Sequence, residues 1–316
     1  MIIQQIIAQI EKNQHFLIVA HENPDGDAIG STLALALALR DMGKDVVAYN
    51  VDGVPEIMQF LPHANLLVDR LPDNSHFDVA FVLDAGDVKR TALPIKDLCN
   101  TLINIDHHPH STFGDICYLD TSACATAVLI YRILLACRYQ PSLAVAKALY
   151  LGILSDTGSF RYASADQESF KVAGELVGLG VDPWEISSHL YESHAPKRMQ
   201  LLGMVLPTLQ ISSCGRYASI SMSQDVLGAL GASEEYSDGF VNYPRSIRGV
   251  EVALFFNQTS ANLYKISFRS RGAIDVGTLA HKLGGGGHHN AAGAKVSGTL
   301  EEVKNIVFPL LEQLFS

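Results

Sequence analysis

Acidic and imidazole side chains recur at the places where apolar runs of this 316-residue chain end. Phe16–Ala20 runs into His21, with Asp25 and Asp27 close behind. Val79–Leu83 runs into Asp84, Leu102–Ile105 runs into Asp106, His107 and His108, and Leu149–Leu154 is followed by Asp156. Carboxylates gathered near a buried edge repel one another unless counter-charge is supplied, and divalent metal is the simplest counter-charge. His21, Asp25, Asp27, Asp84, His107 and Asp156 offer four carboxylates and two imidazoles, enough negative charge to balance two divalent cations. An oxygen-rich set with a minority of His suits Mn²⁺, with Mg²⁺ as the alternative, better than a thiolate-bound metal. The expected division gives His21 and Asp25 to one ion and Asp27, His107 and Asp156 to the other, with Asp84 bridging. Two ions about 3.5–4 Å apart hold a shared water and neutralise charge on a phosphoryl group. The chemistry this predicts is metal-dependent phosphoester hydrolysis.

Each of these residues also has a plainer use. An Asp after a strand is ordinarily a turn or helix-cap residue, and Asp25 and Asp27 stand equally well as N-caps of a helix that begins at Ala28. Their joint occurrence in four separate stretches, two of them carrying His, favours the metal reading. Asn23 is open between a phosphate contact and an Asx-turn residue. Gly26 is expected to relieve crowding between the two ligating carboxylates beside it.

The elements that must position these groups are legible as periodicities. Ile3, Ile6, Ile7 and Ile10 mark one face of a helix over Ile2–Asn13. Strands are predicted at Phe16–Ala20, Val46–Tyr49, Val79–Leu83 and Leu102–Ile105. Helices are predicted at Ala28–Asp41, Ala123–Cys137, Leu143–Leu154, Asp166–Leu179 and Pro183–Tyr191. This alternation implies an α/β fold, a mostly parallel, doubly wound sheet with helices on both faces, whose ligands sit at the carboxyl ends of the strands. After about Tyr191 the pattern changes. A linker helix over Pro196–Leu209, a hairpin around Cys214-Gly215, a strand pair at Val250–Asn257 and Leu263–Arg269, a short helix Val276–Leu283 and a last strand and helix predict a smaller α+β substrate-binding domain. The expected division is residues 1–191, a linker at 192–209, and 210–316.

Composition narrows the function classes. With 48% hydrophobic residues the chain is not disordered. Net charge is −10, from 23 Lys+Arg against 33 Asp+Glu, which argues against gripping long nucleic acid by a broad basic surface. Five cysteines without a CxxC pair form neither a disulfide framework nor a thiolate metal site, so a reducing, cytoplasmic setting is expected. No targeting segment is visible and the most apolar stretch, Thr32–Leu39, is too short for a bilayer, so no membrane partner is expected.

HENPDGDAIGS (His21–Ser31), VLDAGD (Val82–Asp87), NIDHH (Asn104–His108) and GILSDTGSFRY (Gly152–Tyr162) resemble the four motifs of the DHH phosphoesterases. GGGGHHNAAG (Gly284–Gly293) resembles the glycine-rich signature of the DHH-associated substrate domain. Together the motifs span almost the whole chain in the family order, and within the family the chain is similar to the NrnA-like oligoribonucleases, or nanoRNases. It looks less like the longer RecJ exonucleases, and resembles family II pyrophosphatases in the metal motifs but not in the glycine-rich end. The resemblance implies a binuclear Mn²⁺ site with the ligands assigned above, an active site in a cleft between two domains, and cleavage of short RNA, especially dinucleotides, to mononucleotides. Related members act on 3′-phosphoadenosine 5′-phosphate (pAp) or on linear and cyclic dinucleotides, and related proteins make a homodimer the expectation.

The remaining roles follow from residue chemistry and this resemblance together. Asp106 is expected to orient His107 by accepting its free N–H, and His108 to donate a proton or hydrogen bond to the phosphoryl or leaving oxygen. Consecutive N–H groups at Gly285, Gly286 and Gly287 can form an anion nest, with His288 adding a donor. Arg269 is the best candidate for a bidentate phosphate contact. Arg271, Arg245 and Arg161 are weaker candidates, and Ser31 is left outside the site. The alternatives are a cyclic-dinucleotide phosphodiesterase and a manganese-dependent pyrophosphatase.

Overall fold

In the computed structural model, which describes every residue except Met1, His110, His288 and Ser316, the apolar runs of the N-terminal half form one parallel sheet. The chain divides into two compact units, Met1–Ser193 and His194–Ser316. The first unit runs α1 (Ile2–Lys12), β1 (His15–Val19), α2 (Gly26–Asp41), β2 (Asp45–Tyr49), β3 (Leu67–Val68), β4 (Phe77–Leu83), β5 (Cys99–Asp106) and β6 (Ile116–Leu119). Four helices follow: α3 (Thr126–Ala136), α4 (Leu143–Asp156), α5 (Gln167–Gly178) and α6 (Pro183–Tyr191). The strand order is β3-β2-β1-β4-β5-β6, and every ladder is parallel. Strand order reverses between β1 and β4, so the loops leaving those two strands open a crevice at the carboxyl edge of the sheet.

Strand alternation builds the core on both sides. Phe16, Ile18, Val79, Phe81, Leu83, Ile103 and Ile105 face the larger core, which they share with residues of α1 to α6. Leu17, Val19, Ala80, Val82 and Leu102 face the other side, where the cluster contains no α-helical residue. That face is covered by the 3-10 turns Val88–Thr91 and Ile95–Asp97 and by loop side chains, in place of the α-helices predicted there. The physical reason lies in the β4–β5 connection, where Gly86 and Ala92 take positive φ and Pro94 lacks a backbone donor. The strands β3 and β6, two and four residues long, carry too little periodicity to be read from sequence.

Helix α2 is buried almost all round, as its run of small and apolar residues requires. It packs on α4 through glycines. A side-chain carbon at Gly30 would lie 2.4 Å from the Ala148 carbonyl oxygen, and one at Gly152 would lie 2.7 Å from both Ala127 Cβ and Asp27 Oδ1. One at Gly26 would lie 2.5 Å from Ser155 Cβ. Gly26 therefore admits α4, which corrects the expectation that it separates two carboxylates.

The second unit runs α7 (Pro196–Val205), β7 (Gln210–Ile211), β8 (Tyr217–Met222), α8 (Gln224–Leu230), α9 (Asn242–Arg245), β9 (Val252–Ser260) and β10 (Leu263–Ser270). It ends with α10 (Val276–Lys282), β11 (Gly286–Gly287), β12 (Ala291–Ser297) and α11 (Leu300–Glu312). Its sheet has the order β11-β12-β10-β9-β8-β7, antiparallel except for the β8–β9 pair. Val276, Leu279, Val303 and Val307 of α10 and α11 pack on one face with Leu254, Ile266 and Phe268. On the other, Leu201, Leu202 and Val205 of α7 pack with Ile220, Ala253 and Phe255. The short helices α8 and α9 were not foreseen from sequence.

Candidate metal centre

The centre is built around Asp84, the first residue after β4, which is 1% exposed and adopts φ of 57°. Asp is one of the few non-glycine types that enters this left-handed region locally, and residues held there cluster at functional sites. The turn leaves the two carboxylate oxygens facing different histidines. Oδ2 lies 3.8 Å from His21 Nε2, and Oδ1 lies 3.4 Å from His107 Nε2.

Three groups of donor atoms share this carboxylate's surroundings, one of them Asp84 with His107 and His108. His21, Asp25 and Asp84 bring donor atoms within 4.8 Å of one another, as do Asp27, His107 and Asp156. His21 Nε2 is 3.9 Å from Asp25 Oδ2, and His107 Nε2 is 3.2 Å from Asp156 Oδ2. Asp25 serves both of its expected uses: its Oδ1 caps α2 by accepting from the N–H groups of Asp27 and Ala28, each at 3.0 Å, while Oδ2 faces His21. Asp27, fully buried in the first turn of α2, accepts from the N–H of Thr126 at 2.5 Å and of Ala127 at 2.9 Å. It thereby caps α3, whose own N-cap, Ala125, has no side chain for the task. Asp156 is the last residue of α4.

The donor chemistry fits divalent cations. His21 Nδ1 donates to the Glu22 carbonyl at 2.7 Å and His107 Nδ1 to the Ala123 carbonyl at 3.2 Å. A carbonyl only accepts, so Nδ1 carries the proton in both rings and Nε2 is left with a lone pair toward carboxylates. His107 Nε2 is buried and, although close to two carboxylates, makes no hydrogen bond of good geometry. Burial, reinforced by the charges of Asp84 and Asp156, pushes Asp27 well above the usual carboxylate range. Burial likewise pushes Asp156 up to about 6, His107 opposing it. Burial acts against Asp84 too, but the imidazoles of His107 and His108 beside it hold it well below that range. A cation among these groups offsets the burial and the repulsion that raise Asp27 and Asp156.

Asp106 does not orient His107, contrary to expectation. Its Oδ1 accepts from the backbone N–H of His108 at 2.9 Å and from His108 Nδ1 at 2.6 Å. Its Oδ2 accepts from Gly86 N–H and the Ser111 hydroxyl, both at 2.7 Å. The local backbone folds the second histidine of the pair, not the first, over the carboxylate that precedes them. His108 Nδ1 also lies 3.3 Å from Asp84 Oδ1. Burial opposes charge on His108, but Asp106 and Asp84 outweigh it and raise its pKa to about 10.

Three further residues belong to this centre and escaped the sequence reading. The Thr126 hydroxyl donates to Asp84 Oδ1 at 3.1 Å, and that of Ser31 to Asp27 Oδ1 at 3.0 Å. Ser111 supports Asp106. Ser31 lies four residues after Asp27 on α2, a spacing that was available as a signal; Thr126 and Ser111 come from distant segments. Asn23 is exposed with φ of 51°, and its backbone N–H donates to Asp52 Oδ2 at 2.6 Å, so its conformation is that of a loop-shaping residue. Exposed Arg161 folds back on its own loop, Nε donating to the Gly158 carbonyl at 2.6 Å.

In the second unit, Arg269 is half-buried on β10 between Ala253 and Ala291 of the neighbouring strands. The glycine run is a close backbone crossing. Side-chain carbons at Gly285 and Gly287 would lie 2.1 Å from the Gly293 carbonyl oxygen and 2.4 Å from Ala292 Cα. The N–H groups of Gly284 and Gly285 donate to the His281 and Ala280 carbonyls, so they close α10 and do not join an anion nest. Gly286 and Gly287 pair with Gly293 and Ala292 as β11. Arg245 ends α9, His288 lies outside the described residues, and Arg271 donates its backbone N–H to the Glu251 carbonyl.

Comparison with known proteins places this geometry. Residues 15–153 match the DHH family, N-terminal domain, and residues 223–315 match the DHHA1 domain. The chain is 35% identical over 286 residues to the bifunctional oligoribonuclease and PAP phosphatase NrnA of Thermus thermophilus, covering 89% of this chain and 84% of that protein. It is 28% identical over 300 residues to the protein of the same name from Bacillus subtilis, covering 92% of each. Among solved structures, an exopolyphosphatase-related protein from Bacteroides fragilis superposes with a TM-score of 0.93 at 30% identity, covering 98% of this chain and 95% of that one.

Proposed function

The chain belongs to the DHH family, and from that premise we propose that it hydrolyses phosphate esters of short RNA, cutting dinucleotides such as pApA to mononucleotides, and removes the 3′-phosphate of pAp. The observation that carries the reading is the pair of donor groups meeting at Asp84, whose two oxygens face different histidines. His21, Asp25 and Asp84 would hold one divalent ion and Asp27, His107, Asp156 and Asp84 a second, Mn²⁺ being the choice that suits this donor set. Bound there, the ions supply Lewis acidity toward a phosphoryl oxygen and lower the pKa of an attacking water.

The chain's own groups do the rest. The Glu22 and Ala123 carbonyls fix the ring orientations of His21 and His107, a support that ligating histidines need. Asp106 holds His108 beside Asp84 with a proton on Nδ1, where the imidazole serves the leaving or phosphoryl oxygen. Arg269, with Gly286, Gly287, His288 and Arg245, is assigned to the far phosphate or base of the substrate, and Gly285 to the backbone crossing that shapes that loop. Among the described residues no helix is long and apolar enough to cross a membrane, and the five cysteines are unpaired, which supports a reducing cytoplasmic setting. A homodimer belongs to the same reading.

The test is one panel of pApA, pAp, a cyclic dinucleotide and pyrophosphate with added Mn²⁺, resolved by product chromatography. Release of AMP from pApA or pAp supports the proposal. Turnover of pyrophosphate alone would replace it with a pyrophosphatase.

A further inference from the structure

Arg90 has no part in the assignments above, yet it is tied to the centre at both ends. It sits in the 3-10 turn that follows the Asp84 loop, a turn capped by Asp87, whose Oδ1 accepts from Lys89 N–H at 2.9 Å. Its carbonyl accepts from the N–H of Glu22 at 2.7 Å, which joins it to the loop carrying His21 and Asp25. Its Nη1 donates to the carbonyl of Ala85, the residue next to Asp84, at 3.1 Å. One side of the guanidinium is thereby fixed. Arg90 is half-buried, and among the described residues no carboxylate pairs with it, although five acidic side chains lie in the adjoining centre. A buried arginine whose purpose is neutralisation would be seated on one of them.

Gly86 shows what this end of the guanidinium borders. A side-chain carbon there would sit 3.9 Å from Arg90 Nη1 and 4.0 Å from His108 Cγ, so Arg90 and His108 both border the space above this glycine. Gly86 takes φ of 68°, and its N–H is already given to Asp106. Nothing projects from it into that space.

We infer that Arg90 is a substrate-binding residue, which contacts non-bridging oxygens of the phosphoryl group under attack. A guanidinium fixed by one nitrogen presents its others as a planar fork matched to a phosphoryl group. The inference deepens the function proposed above and rests on it, since it names the residue that holds the reacting phosphate on the metal-binding unit itself. The cation nearest the substrate would then come from the same turn that sets Asp84.

The test is calorimetric titration of AMP, a product of both reactions, into the manganese-loaded protein and its Arg90→Ala and Arg90→Lys variants, with manganese stoichiometry measured on each. Loss of a charge-assisted, bidentate contact predicts AMP binding at least about tenfold weaker in Arg90→Ala, with manganese content unchanged. Arg90→Lys keeps the charge but not the fork and is expected to bind at least about threefold more weakly; it decides the matter where the alanine variant does not fold. Smaller losses, loss of manganese together with AMP, or absence of AMP binding in the parent protein overturn the inference. A parent protein that binds AMP through Arg90 but leaves pApA and pAp intact sinks the proposed function instead.

Discussion

Asp84 reaches two histidines because its backbone bends into the left-handed region immediately after a buried strand, so its replacement removes the shared carboxylate from both donor groups at once. Asp84→Asn keeps the shape and removes the charge. It is expected to abolish pApA hydrolysis and to bind fewer than two manganese ions per chain, as read by metal analysis after dialysis. His108→Asn should behave differently. Manganese stays bound while kcat falls by about 10²-fold, the range for loss of a positioned proton donor; an unchanged kcat removes His108 from the chemistry. The metal-ligand candidates were legible because each follows an apolar run, a one-dimensional signal. The partner of Asp106 was not, because two adjacent histidines differ only in which one the backbone turns back on the carboxylate. Thr126 was hidden for a related reason: nothing local marks a helix N-terminus as lying over Asp84 and Asp27.

Helices α2 and α4 set the distance between Asp27 and Asp156 by approaching through Gly26, Gly30 and Gly152. In Gly152→Ala the new methyl would lie 2.7 Å from Asp27 Oδ1, with the helix backbone behind it. The expected cost is about 1–3 kcal/mol of unfolding free energy, typical of overpacking, together with weakened manganese binding; normal affinity for the metal would show that this spacing is not what builds the site. Elsewhere on the same unit, Arg132 of α3 joins Asp120, just beyond β6, to Glu168 of α5. Hydrogen bonds from Ser122 and then Arg132 lower Asp120 to about 2. A carboxylate depressed in the folded state stabilises above its unfolded pKa near 4 and loses that contribution as pH falls toward 2. Asp120→Asn should therefore cost about 1–2 kcal/mol at pH 7, after discounting for partial exposure, and match the parent protein below pH 2. Urea midpoints across that range test the sign. Long periodic helices and buried strands were readable at this scale. Two-residue strands, 3-10 turns and glycines that admit a neighbouring helix were not, because their reasons lie in residues far along the chain.

At the scale of the molecule, a net charge of −10 argues against tracking long nucleic acid through many phosphate contacts. A 24-nucleotide RNA should be cleaved at least about 100-fold more slowly than pApA per end, measured by product chromatography at equal ionic strength. Arg269→Ala is expected to raise KM for pApA more than it lowers kcat, the mark of lost ground-state binding; a KM equal to that of the parent protein would strike Arg269 from the substrate site. The two-part organisation could be read from the change in hydrophobic pattern near Tyr191, whereas the second unit's sheet order, set by pairings between strands distant in sequence, could not. All of this depends on cations seated in the first unit. Anomalous scattering at the manganese edge from soaked crystals addresses that directly. Two peaks about 3.5–4 Å apart, with Asp84 touching both, His21 and Asp25 on one, and Asp27, His107 and Asp156 on the other, are the predicted result. A blank map at these six side chains, or peaks elsewhere, would contradict it.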